Sequence, residues 1–330
     1  MSDDLTSLEA LHRSSGATLD ERGRPVQYGP VAAAFRASHD AATLADRGDI
    51  AIVDMHGADV RRWANGMFTQ NFRDLAKCRV VESGWCDDRG RLLGLMHAAF
   101  IDDDRLRVLL ETGTASDFID HFDRYVLVDD VEFEDRTDAL HVLTAYGPRA
   151  AVLLGSVGLH AETGPVVTST DRGQIWGSRR ASVPSVDIIV PREDSATLWS
   201  ELITAGLFAI GQKTERVLRV HAGRVFMGED VPPKALPHEL GLRDRILSFE
   251  KGCYVGQETI NRLDVRGQAR KHLAAVVGDT AMPVGADVEV DGKSIGSVSS
   301  VVQSPVHGWV ALAVVRRPHD EGAEATVDGA

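Results

Sequence analysis

Residues 51–57 form a short apolar run that reads as a strand, and Asp59 behind it can cap a helix in which Val60, Trp63, Ala64 and Met67 recur at helical spacing. From residue 79 to 111 the alternation is that of a meander. One strand runs up to Cys86, a turn falls at Asp87-Asp88-Arg89-Gly90, and a second strand continues through Ile101. After an acidic turn at 102–104, a third strand carries Leu106, Val108 and Leu110 on one face. Thr114, with Asp117 three residues on, opens a helix expected to bury Phe118, Ile119, Phe122 and Tyr125. A second unit begins near Leu140 with the strand-like HVLTAYG, and Pro148 can open a short helix that Gly155 closes. Strands follow at 174–180 and 186–190. A helix capped by Asp194 or Ser195 then carries Leu198, Trp199, Leu202 and Ile203, stops at Gly206, and is followed by the return strand FAIG. Strands and helices mixed in this order predict an α+β fold rather than a doubly wound sheet. The third unit, from Leu273, is nearly all strand, with Asp291-Gly292 as a two-residue hairpin turn, and reads as a small β-barrel or sandwich. Residues 1–30 show little periodicity and read as an extended lead-in. The polar tail beyond Arg317 reads as frayed.

A chain of 330 residues exceeds the roughly 250–300 that one core accommodates, which agrees with two or three packed modules. Acidic residues outnumber basic ones 49 to 36, for a formal charge of −13, so the overall field disfavours duplex nucleic acid. No apolar run approaches the roughly 20 residues of a membrane span, and the polar start lacks the order of a signal peptide, so a cytoplasmic protein is expected. Three cysteines, Cys78, Cys86 and Cys253, argue against a disulfide framework and fit a reducing compartment. Their spacing supplies neither the four thiolates of an iron–sulfur cluster nor a zinc site, so no integral metal is expected. Walker and GxGxxG turns are absent. His97, His141 and His221, in apolar or helical surroundings, read as packed histidines rather than ligands.

The segment Phe249 to Arg262 stands apart. The strand-like ILSF meets two glycines and then a helical pattern, which places Cys253 at a tight turn close to a helix N-terminus. Exposed N–H groups there and the neighbouring Lys251 would favour thiolate over thiol. The alternative is an inert thiol packed as a small hydrophobe. From Lys251 to His272 five Lys and Arg stand against Glu258 and Asp264, an inversion of the chain's overall sign. It is either a site for carboxylates or phosphates or an ordinary solvated face.

The run Lys251-Gly252-Cys253-Tyr254-Val255-Gly256-Gln257-Glu258 resembles the K-G-C-[FY]-x-G-Q-E signature of the YgfZ-type folate-binding proteins, and Arg266-Gly267 fits that family too. The preceding stretch from IGQKTERV to HELGL is similar to the central part of the related glycine-cleavage T-proteins. The resemblance implies a three-domain ring of the aminomethyltransferase type around a central hole that takes tetrahydrofolate. Residues 31–139 and 211–272 would make the first, folate-binding module, residues 140–210 a ferredoxin-like α+β module, residues 273–317 a C-terminal β-barrel, and residues 318–330 a flexible tail. It further implies Cys253 and Lys251 as catalytic residues, with Tyr254, Gly256, Gln257, Glu258, Arg262 and Arg266 as folate-binding ones. The expected partners are iron–sulfur client proteins, among them radical enzymes that modify transfer RNA.

Two departures bear on activity. The T-protein carboxylate of a G-x-x-D-D stretch has no counterpart in Gly90-Arg91-Leu92-Leu93-Gly94, and the pterin-binding Glu of a T-G-E-D segment has none in Arg180-Ala181-Ser182-Val183-Pro184-Ser185-Val186. Glycine-cleavage chemistry is therefore not expected. Assistance to iron–sulfur assembly or repair is the leading expectation. The alternatives are a folate-dependent one-carbon transferase and a non-catalytic scaffold.

Overall fold

The computed structural model describes residues 7–318 and 322–327. Two sheets form the heart of the molecule. The first is five-stranded and antiparallel, made by Ala51–His56, Val81–Cys86, Leu92–Asp102, Arg105–Leu110 and Glu132–Asp135. Its alternation is strict. Val53, Met55, Ala98, Phe100, Leu106, Val108 and Leu110 point to one face, where they are covered by Trp63 and Ala64 of the helix Val60–Met67 and by Phe118 and Phe122 of the helix Ala115–Asp123. Thr114 caps the latter helix as its sequence predicts, accepting from the Asp117 N–H at 3.0 Å. Tyr125 falls beyond the helix end and is exposed rather than buried.

The opposite face of that sheet, through Ile52, Ala99 and Leu109, packs on Val142, Trp176 and Ile189 of the second sheet. This six-stranded sheet comprises Leu140–Tyr146, Val167–Thr170, Gly173–Ser178 and Ser185–Pro191, extended by Thr43–Asp46 and Phe208–Ile210, the last two paired in parallel. Thr43–Asp46 therefore belongs with the second sheet, although its sequence position groups it with the first module. Four residues, all buried, are too few to reveal which sheet a strand joins. The helices Ala150–Ser156 and Ser195–Thr204 cover the outer side of the second sheet.

The expected extended lead-in is instead structured. Leu8–Ser14 is helical, and His12, fully buried, is held by Asp46 (3.0 Å) and by the Tyr28 hydroxyl (2.6 Å). Asp46 also meets Nε2 of His141 at 2.7 Å, and Arg192 donates to the other nitrogen of that ring. A seven-residue helix has little periodicity of its own, and what anchors it is one buried polar network invisible in local pattern.

The C-terminal unit is a five-stranded antiparallel sheet, Lys271–Gly278, Asp287–Val290, Lys293–Ser304, Gly308–Arg316 and Thr326–Val327. Asp291 and Gly292, both at positive φ, turn the expected hairpin. Thr326–Val327 pairs with Asp287–Val290, so part of the expected frayed tail is ordered by an edge strand it can hydrogen-bond to. The rest of that tail, residues 319–321 and 328–330, lies outside the described residues.

Candidate functional site

The signature loop is sewn onto the first module. The Lys251 ammonium donates to the carbonyls of Phe68 and Gln70, both at 2.6 Å, and sits 4.7 Å over the Tyr254 ring. Val255 N donates to Gly66 O and Ser248 N to Thr69 O. Burial pulls the Lys251 ammonium down to about 7, whereas the two carbonyls and the aromatic face hold the charged form. Tyr254 is buried in a cluster with Cys86, Leu92, Leu95 and Ile260, so it is core rather than ligand surface. Gly256, at φ +85, lies so close to the 87–90 turn that a Cβ would stand 2.5 Å from Asp87 O, which only glycine avoids.

Two expectations for Cys253 are corrected here. ILSF is not a strand, since the helix Arg243–Ile246 ends inside it. The helix Gln257–Arg266 begins four residues after Cys253, so the thiol lies outside its first turn, and the lysine expected beside the thiol spends its ammonium on Phe68 and Gln70. Cys253 itself is exposed. Cys86, by contrast, is buried, and burial pushes its thiol up to about 12. Gln257 is half-buried, Glu258 and Arg262 are exposed, and the Arg266 side chain lies outside what is described.

Lys251→Met keeps the stem's bulk and removes both ammonium hydrogen bonds. It is expected to cost about 2 kcal/mol in urea unfolding and to raise thermolysin cleavage at 252–256. Wild-type stability with unchanged cleavage would show that the lysine is not the tether.

Two adjoining cavities, of about 780 and 440 Å³, share Ala181 and Arg224 as wall. The larger lies between the two central sheets and the end of the helix Gln212–His221, with Glu82, His97, Arg179 and Arg245 in its wall; the smaller is lined by Arg47, Glu111, Tyr146, Arg180 and Glu215. None of Lys251, Cys253, Tyr254, Gly256, Gln257, Glu258, Arg262 and Arg266 lines either one. Gln70 is the link: its backbone holds Lys251, and the residue lines the larger cavity.

The walls are densely charged and closely paired. Glu82 accepts from both terminal nitrogens of Arg224 at 3.2 Å and from Arg245 Nε at 3.1 Å, and its cross-strand partner His97 stands 3.8 Å away, beyond hydrogen-bond reach. Burial pushes Glu82 up, but His97, Arg224 and Arg245 outweigh it and hold the carboxyl well below its ordinary range. Glu111 and Asp187 are likewise held down against their burial, Glu111 chiefly by Arg224 and Asp187 by Arg180, which donates to it at 2.7 Å. Glu215 runs the other way. Burial raises it even though Arg47 is 3.6 Å away and the Tyr146 hydroxyl donates to it at 2.9 Å. Among the described residues no group of three His, Cys, Asp or Glu could hold a metal ion, and no helix is long and apolar enough to cross a membrane.

The pattern of the GCVT N-terminal domain matches residues 8–178, more than half of the sequence. This chain belongs to that family. The GCVT relatives include an aminomethyltransferase of Herpetosiphon aurantiacus, 24% identical over 94% of this chain and 90% of its own length, and one of Methylococcus capsulatus, 25% identical over 98% and 92%. The glycine cleavage system aminomethyltransferase T of Bartonella henselae superposes with a TM-score of 0.88 at 19% identity, covering 98% of this chain and 94% of that one, so the GCVT chain has the T-protein fold expected from its sequence. The relatives' name stands in tension with the expectation that glycine-cleavage chemistry is absent.

Glu82, His97, Glu111, Asp187, Arg224 and Arg245 were not singled out as a site by sequence. A usable signal existed: a charged or imidazole side chain inside an otherwise apolar strand, as in LLGLMHAAF and SVDIIV.

Proposed function

We propose that this chain binds a reduced folate in the two adjoining cavities and turns Cys253 outward to a protein client, supporting the assembly or repair of iron–sulfur proteins, including those that modify transfer RNA. The observation that carries the reading is the position of the thiol. Cys253 is exposed and outside both cavities, so it faces solvent and whatever docks there rather than a cavity-bound ligand. Supporting it, the 90–94 stretch offers no carboxylate to a folate nitrogen: Gly94 lies under the Trp85 ring, where a Cβ would come within 2.1 Å, and Leu92 is core. Cavities lined by arginine suit the carboxylates of a folate's glutamate end.

A second reading, one-carbon transfer from the folate, draws on the relatives' name and on Glu215, a buried carboxyl raised by its surroundings in the smaller cavity wall. One set of measurements separates the two. Under the first reading the purified protein binds tetrahydrofolate, Cys253→Ala binds it equally well, and cells carrying Cys253→Ala lose iron–sulfur enzyme activity. Failure to bind tetrahydrofolate, or full iron–sulfur activity in the Cys253→Ala cells, sinks it. Steady turnover of methylene-tetrahydrofolate with the glycine-cleavage carrier protein, lost in Glu215→Gln, would establish the second.

A further inference from the structure

Two side chains in the wall of the larger cavity carry unpartnered polar atoms, His221 at Nε2 alone and His97 at both ring nitrogens. His97, on the strand Leu92–Asp102, has a side chain only 2% exposed, lines the cavity, and has no hydrogen-bond partner at either ring nitrogen. Among the described residues His238 also has neither ring nitrogen bonded, but it lines neither cavity, and the imidazoles buried outright elsewhere are fully partnered. His12 is bonded at Nε2 to Asp46 and at Nδ1 to Tyr28, and His141 at Nε2 to Asp46 and at Nδ1 to Arg192. Buried polar atoms are nearly always partnered, so an orphaned pair in a cavity wall marks where a ligand completes the bonding.

The groups around His97 are already committed elsewhere. From the facing strand Glu82 is 3.8 Å from Nε2, and from the end of the next strand Glu111 is 3.6 Å away. Glu82 is bound by Arg224 and Arg245, Glu111 by Arg224 at 3.4 Å with Arg180 at 3.8 Å, and Asp187, which also acts on the imidazole, is bound by Arg180. The carboxylates hold His97 in place without satisfying it.

We propose that His97 is the specificity-determining residue of the larger cavity, reading the polar edge of a bound heterocycle. This rests on the folate reading above and names the part of the ligand concerned. A neutral imidazole offers one donor and one acceptor, the complement of an edge that presents an N–H beside a carbonyl or imine nitrogen. The carboxylate end of the ligand is left to arginines such as Arg79 and Arg179, which line the same cavity.

The test measures binding of 5-formyltetrahydrofolate and of p-aminobenzoylglutamate, which lacks the heterocycle, to the full chain at about pH 8. His97→Phe should bind the folate roughly tenfold more weakly at pH 8 and the fragment as wild type does. His97→Gln, whose amide keeps one donor and one acceptor, should recover affinity. Wild-type folate affinity in His97→Phe, an equal loss for the fragment, or no recovery in His97→Gln overturns the inference while leaving the folate site standing. If the wild-type chain binds neither probe, the folate reading itself fails. Should the variants not fold, the His97 ¹⁵N imidazole resonances of the intact protein decide: a shift on saturation with 5-formyltetrahydrofolate supports the assignment, and unchanged resonances overturn it.

Discussion

Glu82→Ala should destabilise the protein by about 2–3 kcal/mol. The carboxylate is the shared acceptor of Arg224 at 3.2 Å and Arg245 at 3.1 Å and stands opposite His97 across two paired strands. Removing one partner of a buried ion pair typically costs about 3–5 kcal/mol, because the other charge is left in a poorly hydrated site. Here Arg224 is the buried one, 10% exposed, whereas Arg245 at 30% regains water, which lowers the expected loss. The check is urea unfolding of Glu82→Ala, Arg224→Ala and the double variant. The two single losses should add to clearly more than the double loss, since the second substitution removes a charge the first has stranded. A Glu82→Ala cost under about 1 kcal/mol, or simple additivity, would mean that solvent already screens the cluster and that its role is confined to the ligand.

The same cluster shows what a sequence can and cannot disclose. Pattern alone placed the meander from 79 to 111, the Thr114 cap and the Asp291-Gly292 hairpin, because each depends on residues within a few positions of one another. Assignment of Thr43–Asp46 to the second sheet depends on its pairing with Leu140–Tyr146, about a hundred residues away, and no local feature encodes it. The eight-residue signature was read as functional throughout, and the structure gives several of its members a packing role. Lys251, Tyr254 and Gly256 anchor, pack and allow close approach, whereas Gly252, Cys253 and Glu258 are offered to solvent. A motif reports that residues are jointly required without saying whether by chemistry or by packing. The charged cavity wall was illegible for the opposite reason. Glu82, Glu111, Asp187 and Arg224 lie on four segments spread over 142 positions and become a group only once the two sheets face each other.

Acidification should unfold the protein well before its exposed carboxylates would require. Asp187 and Asp46 are buried, Glu82, Glu111 and Asp49 are partly buried, and all five are held below their ordinary values by arginine or histidine partners that overcome the effect of burial. For a carboxyl depressed in the folded state, the stabilisation is fully present above the unfolded pKa, near 4, and drains away as pH falls through the lower folded value. Each such depression is stabilisation the folded chain holds at neutral pH, against a total of only roughly 5–15 kcal/mol, so losing several of them together is decisive. Glu215 opposes the trend: its folded pKa is raised, so its contribution is present in acid and is lost as pH rises through that value. One raised carboxyl against five depressed ones leaves a net loss below about pH 4. Urea midpoints measured from pH 7 down to about pH 3 should fall steeply below pH 4, and Glu82→Gln should flatten part of that fall because its share no longer titrates. A midpoint that stays level to pH 3, or a Glu82→Gln curve parallel to the wild-type one, would show that these pairs hold no net stabilisation over the unfolded chain.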